Sequence, residues 1–348
     1  MAEITAPLVS FDRMVSATLE GALLPGGELR WLMEALSTAP VELDVQLRAD
    51  RRRKHSWISA YAGLTSVLDV HESAGHFRLE AHATHRGAAG FHSSWRNAQS
   101  AAALTQARTG VTEYLARILA PGAVDVRYTG REGRVQTLIS TAASDAFGVL
   151  QREAVPAFTS ASLRDHLVEP FRQRILSAVT PASQSPAWWP GVRDRGAPVR
   201  LGLETDLIGI DHQGRLLVIE VKPADAVEGI TWAPGQARLY AEVFALWLEL
   251  DPRASGALAE MAAQRHRLSL PAPSWTLPEQ SKIRVVPVIA VGDGKRSPQA
   301  LVRLVKIHTA LQATPSLSSR LDPLEVWHHD ATGQREHQWR PGTDPTPS

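Results

Sequence analysis

The stretch LGLETDLIGIDHQGRLLVIEVKP, residues 201–223, contains the two most strand-like segments of this 348-residue chain. The turn-forming sequence Asp-His-Gln-Gly-Arg separates them, so we expect two strands joined by a hairpin-like connection. The run Leu-Leu-Val-Ile before Glu220 is apolar on both faces, which is typical of a central strand covered on both sides. Charged side chains at the end of such a strand need a partner, because burying an isolated charge costs several kcal/mol.

The charged residues of this stretch are spaced to act together. Glu220 and Lys222 are two residues apart and therefore point to the same face of their strand, and Asp206 could lie beside Glu220 across the turn. Two close carboxylates repel each other unless a cation lies between them, and oxygen ligands of this kind suit Mg²⁺ or Mn²⁺. Lys222 would then orient or deprotonate a water molecule or neutralise charge on a phosphate. Two alternatives stay open: Glu220 and Lys222 form a structural ion pair, or Glu204 replaces Asp206 as the first ligand.

Asp206, thirteen intervening residues and the triplet Glu220-Val221-Lys222 resemble the motif of the PD-(D/E)xK nuclease superfamily, in which Thr205 would stand where the strict motif has proline. The resemblance covers roughly residues 160–310. It implies a restriction-endonuclease-like fold with an αβββαβ core, and a nuclease that hydrolyses phosphodiester bonds without a covalent enzyme intermediate.

Three further residues extend this resemblance. Glu169 matches an acidic residue that many members carry on a helix ahead of the strands, and Gln236 and Tyr240 match the Q-x-x-x-Y signature of the branch that resembles the RecB nuclease domain. Gln236 would orient Lys222 or a phosphate, and Gln236 and Tyr240 would contact the substrate. The metal ligands implied by the resemblance are Glu169, Asp206, Glu220 and the carbonyl of Val221.

The pattern along the chain predicts an α/β protein in two domains. Strand-like stretches at 41–48, 56–70 and 76–86 predict a small antiparallel sheet, residues 95–119 a long helix, and residues 124–141 a hairpin turned on Gly-Arg-Glu-Gly. Residues 160–311 read as αββαβα. The predicted units are an N-terminal α+β domain (1–155), a nuclease-like domain (156–330) and a flexible polar tail (331–348).

Composition limits the function further. The chain has no cysteine, which excludes disulfides, thiolate metal sites and a cysteine nucleophile. No segment reaches the roughly 18 apolar residues of a membrane span, and the N-terminal sequence lacks the features of a secretory signal, so we expect a cytoplasmic protein without a membrane partner.

A net charge of +1 neither requires nor excludes nucleic acid, but the basic run Arg51, Arg52, Arg53 and Lys54 predicts a substrate-binding patch. DNA is favoured over RNA as the substrate, in DNA processing or in defence, and a homodimer would suit double-strand cutting. The alternative is a non-catalytic nucleic-acid-binding or sensing protein.

Overall fold

The computed structural model describes residues 7–50, 54–87, 90–120, 131–142, 144–183, 201–292, 294 and 297–341. Within these ranges the chain is a mixed α/β protein with ten α-helices and three β-sheets. The smallest sheet pairs the two-residue strands β1 (Val9–Ser10) and β7 (Ala157–Phe158). None of the described helices combines the length and the apolar character needed to cross a membrane.

A four-stranded antiparallel sheet organises the N-terminal part, in the order β2-β3-β4-β5. Its strands alternate between apolar residues that face the core and polar residues on the other face, as the sequence predicts. The elements, in chain order, are α1 (Ala17–Leu23), α2 (Arg30–Ser37), β2 (Asp44–Asp50), β3 (His55–Ala62), β4 (Thr65–Ser73), β5 (His76–Glu80), α3 (Ala83–Arg86), α4 (Ala101–Thr105) and α5 (Arg108–Ile118).

Three sequence predictions for this part need correction. The stretch 56–70 forms two strands that turn at Gly63, where φ is +64°. The predicted long helix over 95–119 is interrupted, with a 3-10 turn at Ser93–Arg96 followed by α4 and α5. The predicted hairpin over 124–141 is wrong where the structure describes it, because residues 131–141 form the helix α6 (Arg131–Thr141). Residues 124–130 lie outside the described ranges.

The larger sheet has six strands in the order β12-β11-β10-β9-β8-β6. Strands β9, β10 and β11 run parallel to one another, whereas β6, β8 and β9 form an antiparallel meander and β12 runs antiparallel to β11. The elements are β6 (Phe147–Ala154), α7 (Ala161–Ser183), β8 (Thr205–Asp211), β9 (Leu216–Lys222), α8 (Val227–Leu250), α9 (Ala254–Arg267), β10 (Val285–Val291), α10 (Pro298–Gln312), β11 (Glu325–His329) and β12 (Arg335–Trp339).

Helices cover both faces of the six-stranded sheet. On one face α8 packs on β9 and β10, with Phe244 and Trp247 buried against the apolar side chains of these strands. On the other face α6 packs on β6, β8 and β9, with Ile139 buried against Leu207 and Ile219. This coverage explains why β8, β9 and β10 are apolar on both faces, and it confirms the prediction that β9 is a central strand.

The C-terminal segment completes the sheet. Residues from 331 onward were predicted to be a flexible polar tail, but residues 335–339 form β12 against β11. Trp339 is buried, and its indole Nε1–H donates to Nε2 of His328 at 3.0 Å. One anchoring side chain therefore orders a strand whose other residues are largely exposed.

The order α6-β6-β8-β9-α8-β10 gives a helix, three antiparallel strands, a helix and a strand parallel to the third, with α7 inserted between β6 and β8. Two of these elements, α6 and β6, come before residue 155, so the six-stranded sheet draws on both predicted halves of the sequence. The sheets also touch directly, because Arg152 of β6 pairs with Asp44 of β2 at 3.1 Å, and both side chains are fully buried.

Candidate functional site

Two carboxylates meet at one end of the six-stranded sheet. The register pairs Leu207 of β8 with Ile219 of β9, which places Asp206 opposite Glu220 on neighbouring strands. Opposite residues of an antiparallel pair share a face and have Cβ atoms about 5 Å apart. Asp206 is half-buried at the start of β8, and its Oδ2 accepts a hydrogen bond of 2.7 Å from the amide N–H of Val221. The two acids are therefore neighbours, as the sequence predicted.

Lys222 completes this cluster from the end of β9. Its Nζ donates to Oε1 of Glu220 at 2.5 Å, and its carbonyl oxygen accepts from the amide N–H of Gly292 at 2.9 Å. The aliphatic part of the side chain lies against Gly229 in the first turn of α8, where a Cβ would approach the Lys222 Cδ to 3.0 Å. The backbone of Lys222 is thus fixed by Gly292, and its ammonium group is fixed by Glu220.

The cluster has more acidic than basic side chains, and burial shields them from water. Burial raises the pKa of Asp206 to about 6. Burial, followed by the nearby charge of Asp206, raises the pKa of Glu220 to about 8. Burial opposes the charge on Lys222, but attraction to Glu220 and Asp206 outweighs it and raises the pKa of Lys222. One lysine does not balance two ionised carboxylates, so the cluster favours either a proton or an added cation.

Glu132, in the first turn of α6, is a residue that the sequence reasoning missed. Its negative charge contributes to the raised pKa values of Asp206, Glu220 and Lys222. The signal was present in the sequence as an acid within Gly-Arg-Glu-Gly, but those residues were read as a turn. A second missed residue is Arg152, whose positive charge counteracts the rise in the pKa of Asp206.

Glu169 lies on α7 and makes its contacts within that helix. Its Oε2 accepts from Arg172 at 2.6 Å and its Oε1 accepts from Gln173 at 2.7 Å. Over the described part of the chain, no three aspartate, glutamate or histidine side chains come close enough together to hold a metal ion. Neither Glu169 nor Glu132 therefore completes a three-residue ligand set with the Asp206–Glu220 pair.

Gln236 and Tyr240 lie on α8, one helical turn apart. Nε2 of Gln236 is 3.5 Å from the Tyr240 hydroxyl. Burial, followed by the charge of Glu220, raises the pKa of Tyr240 well above its ordinary value, which places this phenol near the carboxylate cluster. The structure thus brings the two residues of the Q-x-x-x-Y pattern to the same end of the sheet.

The remaining predicted residues are distributed differently. Glu204 is exposed and lies just before β8, so Asp206 is the acid that faces Glu220. Residues Arg51, Arg52 and Arg53 lie outside the described ranges. Lys54 is exposed at the turn between β2 and β3 of the four-stranded sheet.

The donor set fits a hard divalent cation in one respect. Mg²⁺ is usually held by one or two carboxylates, with water and substrate phosphate filling the other positions. Asp206 and Glu220 supply two carboxylates whose raised pKa values reflect a shortage of positive charge, which a cation would relieve. The chemistry of the pair therefore suits Mg²⁺ or Mn²⁺ held by two protein carboxylates.

Comparison of the chain with protein-family models, with curated proteins and with solved structures gives no match. Its function must therefore be inferred from the chemistry of the carboxylate–lysine cluster and from the fold that positions it.

Proposed function

We propose that the protein is a metal-dependent nuclease that hydrolyses phosphodiester bonds, with DNA as the favoured substrate. The observation that carries the proposal is the buried cluster of Asp206, Glu220 and Lys222 at the end of two paired strands. Two facing carboxylates can hold a divalent ion, and a lysine beside them can stabilise negative charge that develops on a phosphate. The order α6-β6-β8-β9-α8-β10 adds support, because it agrees with the αβββαβ core implied by the resemblance to the PD-(D/E)xK nucleases.

Asp206 and Glu220 would hold the divalent ion, with the carbonyl of Val221 as a further oxygen ligand. When bound, this ion would supply Lewis-acid polarisation of the phosphate and of a water molecule. Lys222 stays protonated, because the neighbouring carboxylates raise its pKa, so its ammonium group can donate to a phosphate oxygen as negative charge develops there.

Gln236 and Tyr240 have a positioning role in this proposal. The Tyr240 hydroxyl stays protonated at neutral pH, because burial and the nearby Glu220 charge raise its pKa. The Gln236 amide can donate either to this hydroxyl or to a substrate phosphate, because the distance of 3.5 Å within the protein leaves that bond weak. Substitution of Gln236 should therefore affect substrate positioning more than the stability of the protein.

The test is cleavage of labelled single-stranded DNA, double-stranded DNA and RNA by the full chain with Mg²⁺, Mn²⁺ or EDTA. Lys222→Ala, Glu220→Ala and Asp206→Ala should each lower the rate at least about a hundredfold, because each removes a group that acts on the reacting phosphate. Lys282→Ala is the matched control, because Lys282 is exposed and its ion pair is with Glu279 of the same turn.

Three outcomes would overturn the proposal. Cleavage that survives all three substitutions would assign the activity to another site or to a contaminant. Binding of nucleic acid without cleavage under any metal would favour the alternative, a non-catalytic nucleic-acid-binding protein. Neither binding nor cleavage would leave the cluster as a structural ion pair between Glu220 and Lys222.

A further inference from the structure

A cavity of about 230 Å³ lies where β2, at the edge of the four-stranded sheet, meets the C-terminal ends of α6 and α9. The helix α2 and the segment that follows α9 supply the rest of its wall. Sites for drug-sized ligands commonly enclose about 300–1,000 Å³. This cavity is smaller, so it suits a small ion with water rather than a nucleotide or a peptide.

Arg265, in the last turn of α9, is a buried cation in this wall. The residue is 1% exposed, and its Nε and Nη1 donate to the carbonyl oxygens of Pro271 and Val45 at 2.8 and 3.2 Å. Among the residues that the structure describes, Nη2 has no acceptor and no carboxylate lies within ion-pair distance of the guanidinium. Burial lowers the pKa of Arg265 to about 10, so the side chain is still charged at neutral pH. A buried charge without a counter-ion costs several kcal/mol, and a bound anion would remove that cost.

The acids of the wall do not neutralise Arg265. The negative charge of Asp44 acts on Arg265, but Oδ2 of Asp44 pairs with Arg152 at 3.1 Å and its Oδ1 accepts a hydrogen bond from Gln46. Glu42, the second acid of the wall, is exposed to solvent. The charge of Arg265 is therefore left without a direct partner inside the cavity.

Two further hydrogen-bond donors of the wall also lack acceptors. Nη1 of Arg30 is buried and has no partner in the described part of the chain, and the ion pair of Arg30 with Glu34 is long, at 4.0 Å, and partly exposed. The buried hydroxyl of Ser140 accepts from Nε2 of Gln46 at 3.3 Å and donates to no described residue. Buried donors without acceptors are uncommon, so three such groups around one cavity indicate a ligand that accepts hydrogen bonds.

We propose that this cavity binds one small oxyanion of the phosphate class. Arg265 would supply the buried positive charge, Arg30 a second guanidinium and Ser140 a hydroxyl donor. Guanidinium groups suit such an anion because they stay charged and because their N–H bonds match the spacing of its oxygens. The bound anion would neutralise Arg265 and link α2, α6 and α9 at the edge of the four-stranded sheet. The site does not depend on the proposed nuclease function, since none of these residues belongs to the carboxylate–lysine cluster.

The probe is inorganic phosphate, titrated into the full chain in EDTA at an ionic strength kept constant with chloride. Calorimetry should show one phosphate bound per chain. Phosphate should also raise the urea concentration at the midpoint of unfolding, because it binds the folded chain and not the unfolded one. Absence of phosphate binding would overturn the proposal, and so would an equal shift of the midpoint with chloride alone.

Substitutions on the wall provide the second arm. Arg265→Met would also remove two hydrogen bonds to carbonyl groups and can fail to fold, so the test uses Arg30→Met and Ser140→Ala. Arg30→Met should weaken phosphate binding at least about tenfold and Ser140→Ala about fivefold, because each removes a donor to a charged ligand. Arg164→Met is the control, because Arg164 is exposed on α7 and pairs with Asp165. A phosphate affinity that both wall substitutions leave unchanged would overturn the proposal.

One more variant separates this site from the candidate nuclease site. Lys222→Ala removes the ammonium group of the carboxylate–lysine cluster and should leave phosphate binding in EDTA unchanged. Loss of phosphate binding in Lys222→Ala would place the anion at that cluster and would overturn the proposal. Because these titrations contain no nucleic acid, their result is independent of whether the protein cleaves a phosphodiester bond.

Discussion

Replacement of Glu220 by glutamine should make the metal-free protein more stable at alkaline pH while it abolishes the proposed activity. The amide keeps the shape of the side chain and an acceptor for the Lys222 ammonium group, which now lies 2.5 Å from a carboxylate oxygen. In the wild-type chain at high pH two anions and one cation share a buried space. Glu220→Gln removes one of these anions, so the excess of negative charge around Lys222 falls.

The magnitude follows from the pKa of Glu220, which is raised from 4.5 to about 8. Each pKa unit is worth about 1.4 kcal/mol, so ionising this buried side chain costs the folded state about 5 kcal/mol at most. Because the folded state holds the proton more tightly than the unfolded state, the free energy of unfolding falls as pH rises from about 4.5 to about 8. Structural relaxation lowers the cost, so we expect Glu220→Gln to gain about 2–5 kcal/mol above pH 8 and nothing near pH 4.5.

The assay is urea unfolding in EDTA at a series of pH values, with the full chain and with Glu113→Gln as control. Glu113 is exposed on α5, so its neutralisation should leave the pH dependence unchanged. The reasoning is refuted if Glu220→Gln is no more stable than wild type above pH 8, or if its advantage is independent of pH. Either result would mean that Glu220 is ionised at little cost in the folded protein.

Three further predictions follow from the same geometry. Mg²⁺ should bind more tightly as pH rises from about 6 to about 8, because it binds the ionised carboxylate pair, and its binding should release protons. Calorimetry in two buffers of different ionisation enthalpy measures this proton release. A pH-independent affinity with no proton release would contradict the prediction. Gly133→Ala should lower the free energy of unfolding, measured by urea titration, by about 1–3 kcal/mol, since its Cβ would come within 2.6 Å of the Leu64 amide nitrogen. The control is Gly256→Ala, which has open space around the new Cβ and should be neutral or stabilising. Gly229→Ala should gain up to about 1 kcal/mol from helix propensity yet reduce cleavage about tenfold by displacing Lys222; unchanged kcat would show that the lysine position is not critical.

The local pattern was sufficient for the central strands and for the cluster they carry. Two apolar runs and the turn sequence between them predicted β8 and β9, and the two-residue spacing placed Glu220 and Lys222 on one face. The pairing of Asp206 with Glu220 followed from the length of the connection. These features are local, because neighbours in the strand and across one turn determine them.

Features that depend on distant contacts could not be read from the sequence. Gly-Arg-Glu-Gly has the composition of a turn, yet its residues 131–133 belong to α6, where Gly133 lies close against the turn between β3 and β4, at Gly63 and Leu64. Because these residues were read as a turn, Glu132 was not predicted as a site residue. The strand β12 was missed because only Trp339 among its residues is buried, so the segment has no alternating apolar pattern. The segment between β11 and β12 was read as the start of a polar tail, not as a turn.

The contact between Arg152 and Asp44 has a consequence for how this chain could be divided or recombined. Arg152 also donates to Gln136 of α6 at 2.7 Å, so one buried guanidinium joins the four-stranded sheet, the six-stranded sheet and the helix that carries Glu132. A fragment that starts at residue 156 would leave α6 and β6 behind and expose the edge of β8 to pairing with other chains. The N-terminal sheet is therefore not an exchangeable specificity module, and fusion or exchange of units should succeed only where β2 and β6 are kept together.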